Sequence, residues 1–222
     1  MKIALINEFS QAAKNGIILD ALREVAEPLG HAVFNTGMTE GGAASDDSPE
    51  QPADNPSISY IHVGIQAALL LNSGAVDFVV TGCGTGQGAL LSCNSFPGVV
   101  CGYCVEPSDA YLFLQINAGN ALSLPFAKGF GWGAELNLKN IFQQAFDSPV
   151  GMGYPAERRS QQNRNARLLN DVKQHVAKPI VEVINALDPQ MVRQACTPRF
   201  LECFYAECRD PELEAAVREI VG

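Results

Sequence analysis

The stretch Val79-Val80-Thr81-Gly82-Cys83-Gly84-Thr85-Gly86-Gln87-Gly88-Ala89 constrains this chain more than any other. Its apolar start reads as a strand buried on both faces, and glycines at four alternate positions then lead into a helical pattern. A turn that only reverses the chain needs one or two glycines. Four let the backbone approach a ligand and aim successive N–H groups at it, and the following helix N-terminus adds partial positive charge. The element reads as an anion-binding loop at the carboxyl edge of an open parallel sheet.

The flanking sequence supplies that sheet. Ile3 to Asn7, His31 to Thr36, Val76 to Thr81, Val99 to Val105 and Ala121 to Phe126 read as strands. Helical spacing recurs between them over Gln11 to Leu29, Ser59 to Asn72, from Ala89 onward, over Asp109 to Asn117 and over Trp132 to Phe146. Met38 to Ser57, rich in Gly, Ser, Asp and Pro, reads as a mobile surface loop. Strands alternating with helices predict an α/β fold, a Rossmann-like open parallel five-stranded sheet with helices on both faces, over residues 1–153. Beyond Gly153 the pattern is helical only. Asp188-Pro189, Thr197-Pro198 and Asp210-Pro211 each pair a capping residue with proline at the first helical position. Residues 154–222 are therefore expected to form a helical annex that packs on the sheet domain or on a partner subunit.

With 222 residues, 47% of them apolar, the chain can bury a substantial core without disulfides. Its net charge of -9 offers no basic field for nucleic acid or an anionic membrane, and its apolar runs fall short of a membrane span. The short, strand-like N-terminus is no signal peptide, and a cytoplasmic enzyme is expected. Seven cysteines at irregular spacing point to reduced thiols. Cys101 and Cys104, a C-x-x-C inside an apolar run, read as buried small hydrophobes, and no metal site is expected.

Cys83 stands where strand gives way to loop. Unpaired N–H groups beside a thiol favour its ionised form, and a thiolate facing an anion hole is an acid–base or nucleophilic device. A second reading competes: Gly84-x-Gly86-x-x-Ala89 satisfies the relaxed dinucleotide fingerprint, and Glu106 lies about twenty residues on, as that motif requires. Against it, the loop follows the third strand and not the first.

The run Cys83-Gly84-Thr85-Gly86-Gln87-Gly88, followed by Asn94, Pro97-Gly98 and Gln115-Ile116-Asn117-Ala118-Gly119-Asn120, resembles the type B ribose-5-phosphate isomerase and galactose-6-phosphate isomerase family over roughly residues 1 to 167. The resemblance implies isomerisation of a sugar phosphate between aldose and ketose, without a cofactor, through an enediolate. It also implies a homo-oligomer, a dimer or dimer of dimers, with active sites shared between subunits. By position, Cys83 would be the base and Thr85 would assist proton movement. Gly84, Gly86 and Gly88 would hold the enediolate through their N–H groups. Asn117 would contact substrate, and Arg158, Arg164 and Arg167, with Arg159 beside them, would bind the phosphate. Glu8 would face the ligand at the carboxyl edge of the first strand.

The chain departs from the family at three places. Glu8-Phe9 stands where the family has Asp-His, and Val99-Val100 follow Pro97-Gly98 where an arginine is expected. Ile116 stands where the family has its ring-opening histidine. Of His31, His62 and His175, His62 is the nearest substitute. A substrate that stays open is the expectation, and a relative that binds a polar ligand without turning it over is the remaining alternative.

Overall fold

In the computed structural model, residues 1–39 and 57–222 are described; most of the expected loop, residues 40–56, lies outside them. Strands β1 (Lys2–Asn7), β2 (Ala32–Asn35), β3 (Phe78–Cys83), β4 (Cys101–Tyr103) and β5 (Ala121–Pro125) form one sheet in the order β2-β1-β3-β5-β4. Every pairing is parallel, with Asn7 beside Gly82 and Cys83 beside Pro125. The chain leaves β1 toward β2 on one side and returns to β3 on the other, so the carboxyl ends of β1 and β3 stand at a topological switch point, where open parallel sheets form their ligand crevice.

Alternation along the strands separates two cores. Ile3, Leu5, Phe78, Val80, Leu122 and Leu124 face α1 (Asn15–Ala26), α4 (Pro107–Asn117) and α5 (Ala134–Phe146). Ala4, Ile6, Val79 and Cys83 face α2 (Tyr60–Asn72) and α3 (Gln87–Asn94). The second core runs on into the annex without a break. Ile184, Val192, Phe200, Phe204, Leu213 and Val217 belong to it, contributed by α7 (Ile180–Ala186), α8 (Pro189–Ala195), α9 (Pro198–Glu207) and α10 (Pro211–Val221). Phe200 and Phe204 are fully buried and stacked 5.6 Å apart, and burial of each contributes about 1.5–3 kcal/mol. The annex packs mainly on α2, and Lys2 pairs with Glu207.

The three helix starts follow the Asp/Thr-Pro signals: the side chains of Asp188, Thr197 and Asp210 accept from Gln190, Phe200 and Glu212 N–H. Two expected elements differ. The helix expected over 11–29 is a 3-10 turn (Phe9–Lys14), then α1, then a second 3-10 turn (Glu27–Leu29), because Glu8 caps the first turn and Pro28 opens the last. The strand expected over 99–105 shortens to Cys101–Tyr103, because Val100 N–H goes to the Asn120 side chain at 2.8 Å. Helix α6 (Arg159–Val176) buries none of its residues. No helix among the described residues is long and apolar enough to cross a membrane.

Candidate active site

Cys83 ends β3 at the crevice, 7% exposed, with its carbonyl accepting from Phe126 N–H at 2.9 Å. The glycines after it are close approaches. Gly84 carbonyl takes Ala127 N–H at 2.9 Å and Lys128 N–H at 3.2 Å, which wraps the turn after β5 around the loop. Gly86 sits at φ +73°, where a Cβ would meet the Tyr103 ring at 2.8 Å, and its carbonyl accepts from Ser123 Oγ at 2.7 Å. It is also the residue from which α3 starts, so no side chain at that position caps the helix. First-turn N–H groups lack intrahelical acceptors and carry the positive end of the helix dipole, which suits an oxyanion. Thr85 is exposed, its Oγ1 accepting from Gln87 N–H at 3.3 Å.

Glu8, which follows β1, is 4% exposed, and both of its oxygens accept from Ser10, from N–H at 2.7 Å and Oγ at 2.5 Å. Two hydrogen bonds leave acceptor positions on a carboxylate for a ligand hydroxyl. Gln11 and Lys14 also stand here and were missed by the sequence reading. Gln11 lies against Gly84, and Lys14 Nζ donates to Gln11 Oε1 at 2.9 Å and to Phe126 carbonyl. Tyr60, missed as well, lays its ring over Gly88, where a Cβ would come within 2.9 Å of it. Nothing in the sequence ties Tyr60 to the loop, since the two meet only through the packing of α2 on α3. His62 belongs to the cap of α2, with Nδ1 accepting from Ser59 N–H at 2.9 Å. Glu106 caps α4, accepting from Ser108 Oγ at 2.8 Å.

The remaining expected residues gather at the opposite edge of the sheet. Asn117 is the exposed last residue of α4 and Ile116 is half-buried beside it. The start of α6 is fastened to this end of α4. Gly151 N–H donates to Leu114 carbonyl, Gly153 N–H to Gln115 carbonyl, and Met152 N–H to Gln115 Oε1 at 2.8 Å. Arg158, Arg159, Arg164 and Arg167 are exposed along the first part of α6, and none of them joins an ion pair among the described residues. The length of a six-residue strand, about 17 Å, separates this group from Cys83. Within one chain the thiol and the arginines do not meet.

Burial pushes Cys104, Cys196 and Cys203 up to about 12, and a hydrogen bond with Cys93, together with burial, raises Cys101. Among the described residues no group of three or more His, Cys, Asp or Glu side chains could hold a metal ion.

Residues 3–166 match the Ribose/Galactose Isomerase family, and residues 176–220 match a second family described as ribose-5-phosphate isomerase. The structure of a ribose-5-phosphate isomerase from Vibrio parahaemolyticus is similar over 99% of both chains, at 55% identity and a TM-score of 0.89. That of a 4-deoxy-L-threo-5-hexosulose-uronate ketol-isomerase, complexed with a tartrate, is similar over 100% of this chain and 99% of the other, at 46% identity and a TM-score of 0.91. Ribose-5-phosphate isomerase B of Escherichia coli (strain K12) is 39% identical over 64 residues, a match covering 29% of this chain and 43% of that relative. With three quarters of its length matched and the thiol and glycine loop in place, the chain belongs to the ribose/galactose isomerase family, whose members are enzymes of the intramolecular oxidoreductase class.

Proposed function

We propose that the chain is an aldose–ketose isomerase acting on an open-chain anionic sugar through an enediolate, with Cys83 as the base. The observation that carries this reading is the buried thiol at the end of β3, beside a glycine loop that opens a helix, at the point where the sheet topology reverses. The thiolate of Cys83 takes the proton from C2 of the aldose, and the electron pair left behind forms the C1–C2 double bond. The carbonyl oxygen then carries negative charge, which the N–H groups of Gly84, Gly86 and Gly88 hold; such donors typically contribute several kcal/mol. Thr85 relays a proton between the two oxygens, and Cys83 returns its proton to C1. The sugar gains and loses no electrons overall, so the reaction requires no redox cofactor. Glu8 accepts from a sugar hydroxyl.

Asn117, Arg158, Arg164 and Arg167 enter the site from a second copy of the chain. Their distance from Cys83 supports this, and so does the strip Leu168, Leu169, Val172 and Val176 on the same helix, 56–78% exposed. Guanidinium groups bind phosphate or carboxylate bidentately.

Ile116 selects the form of the sugar. A cyclic substrate opens when an acid–base group moves a proton from the anomeric hydroxyl to the ring oxygen, and isoleucine has none to move. The substrate named for the uronate ketol-isomerase lacks a hydroxyl at C4 and has a ketone at C5, so neither ring can close on C1. Initial rates on 4-deoxy-L-threo-5-hexosulose uronate, D-erythrose 4-phosphate and D-ribose 5-phosphate test the reading. At least one of the two open-chain substrates should outpace ribose 5-phosphate. Ile116→His should raise turnover of the cyclising sugar, by up to the 100-fold or so that a positioned acid–base group typically supplies. A wild-type enzyme fastest on ribose 5-phosphate would overturn it.

A further inference from the structure

Helix α2 stands between the glycine loop and the annex, and hydrogen bonds tie it to both. On the loop side, the Tyr60 ring covers Gly88, and Ser92 Oγ of α3 donates to Ile61 carbonyl at 3.0 Å. Toward β1, Phe9 N–H donates to Ile58 carbonyl at 2.9 Å. On the far side lies α8. There Gln66 Nε2, fully buried, donates to Ala195 carbonyl at 2.7 Å, and Gln194 Nε2 donates to Ser57 carbonyl at 2.8 Å. Ile58 and Val63 share one buried cluster with Cys83 and with Val192 and Ala195 of α8. The Ser59–His62 capping box fixes the shape of the turn that enters α2. The two groups of that box both lie within the turn, whereas the bonds to α8, like the one from Phe9, join the turn to other elements.

We propose that α8 is a positioning element for the thiol site, acting through Gln194: it holds the Ser57–His62 turn as the wall of the crevice beside the glycine loop and so sets access to Cys83. This inference rests on reading that crevice as the active site.

The test compares Gln194→Glu, which keeps the shape of the side chain and loses the donor, with Gln194→Lys, which keeps a donor of similar reach. Alkylation of Cys83 by iodoacetamide, read by peptide mass, reports access without needing a substrate. Gln194→Glu should alkylate about fivefold faster than wild type, the shift in an opening equilibrium when one hydrogen bond is lost. Gln194→Lys should stay near the wild-type rate, with the thermal midpoints of both variants close to that of wild type. A Gln194→Glu rate indistinguishable from wild type or slower, or equal acceleration in both variants, would overturn the proposal. Loss of activity in Cys83→Ala is scored separately, so the wall can fail while the site stands, and the site can fail while the wall stands.

Discussion

Cys83 differs from the other cysteines by where its strand ends. Three of the five residues that follow Cys83 have no Cβ, which leaves the backbone beside its thiol open to close approach. Replacing Cys83 by Ala removes one sulfur atom and little volume, so the fold should persist. Exchange of solvent deuterium into the substrate should fall by about 100-fold or more, the typical contribution of a positioned base. Undiminished exchange in the variant would take Cys83 out of the mechanism. Thr85 and the loop glycines were legible in the sequence, because spacing alone places them after a buried strand. Tyr60 and Gln11 were not, since they reach the loop through the packing of separate elements.

At the level of elements, the five strands and the Pro-initiated annex helices were readable from period and caps. The breaks were not: Glu8 turns its carboxylate back on Ser10 and starts a 3-10 turn, a local hydrogen bond that hydrophobic spacing does not report. Helix α6 shows the opposite: Leu168, Leu169, Val172 and Val176 follow helical spacing, yet the helix buries none of its residues within the chain, which the pattern does not report. Its placement depends on the clamp at its start. Gln162 exchanges hydrogen bonds with Tyr154 at 2.9 and 2.7 Å, Asn163 donates to Gly151 carbonyl at 3.0 Å, and Gly153 sits at φ +84° with room for no Cβ, Arg159 Cα being 2.6 Å from where it would stand. Gly153→Ala should therefore cost about 1–3 kcal/mol in chemical denaturation and weaken substrate binding, since it displaces the arginines. Gly16→Ala in α1, with nothing within 4 Å of the added methyl, should be neutral or stabilise by up to about 1 kcal/mol. Equal effects of the two substitutions would contradict the clamp.

For the whole molecule, the residues proposed to carry the chemistry are divided between two edges of one sheet. Cys83, Glu8 and the glycine loop occupy the carboxyl edge, while Asn117 and the arginines of α6 occupy the amino edge. An acidic chain with a net charge of -9 nonetheless keeps its arginines at 158, 159, 164 and 167 together and, among the described residues, free of ion pairs, which suits a group that waits for an anion on another copy. The family resemblance implied a site shared between subunits, but which edge each group occupies was not legible in the residues, because it follows from the length and direction of the strands and helices between them. A two-fold dimer in which each thiol faces its partner's arginines has a direct consequence. When inactive Cys83→Ala chains are dissociated and reassembled with inactive Arg164→Ala chains, each heterodimer regains one intact site and loses the other twice over. Equal mixing should restore about a quarter of wild-type activity, since half the dimers are mixed and each carries one site of two. Verified heterodimers with no activity above that of the parents would contradict a site shared between subunits.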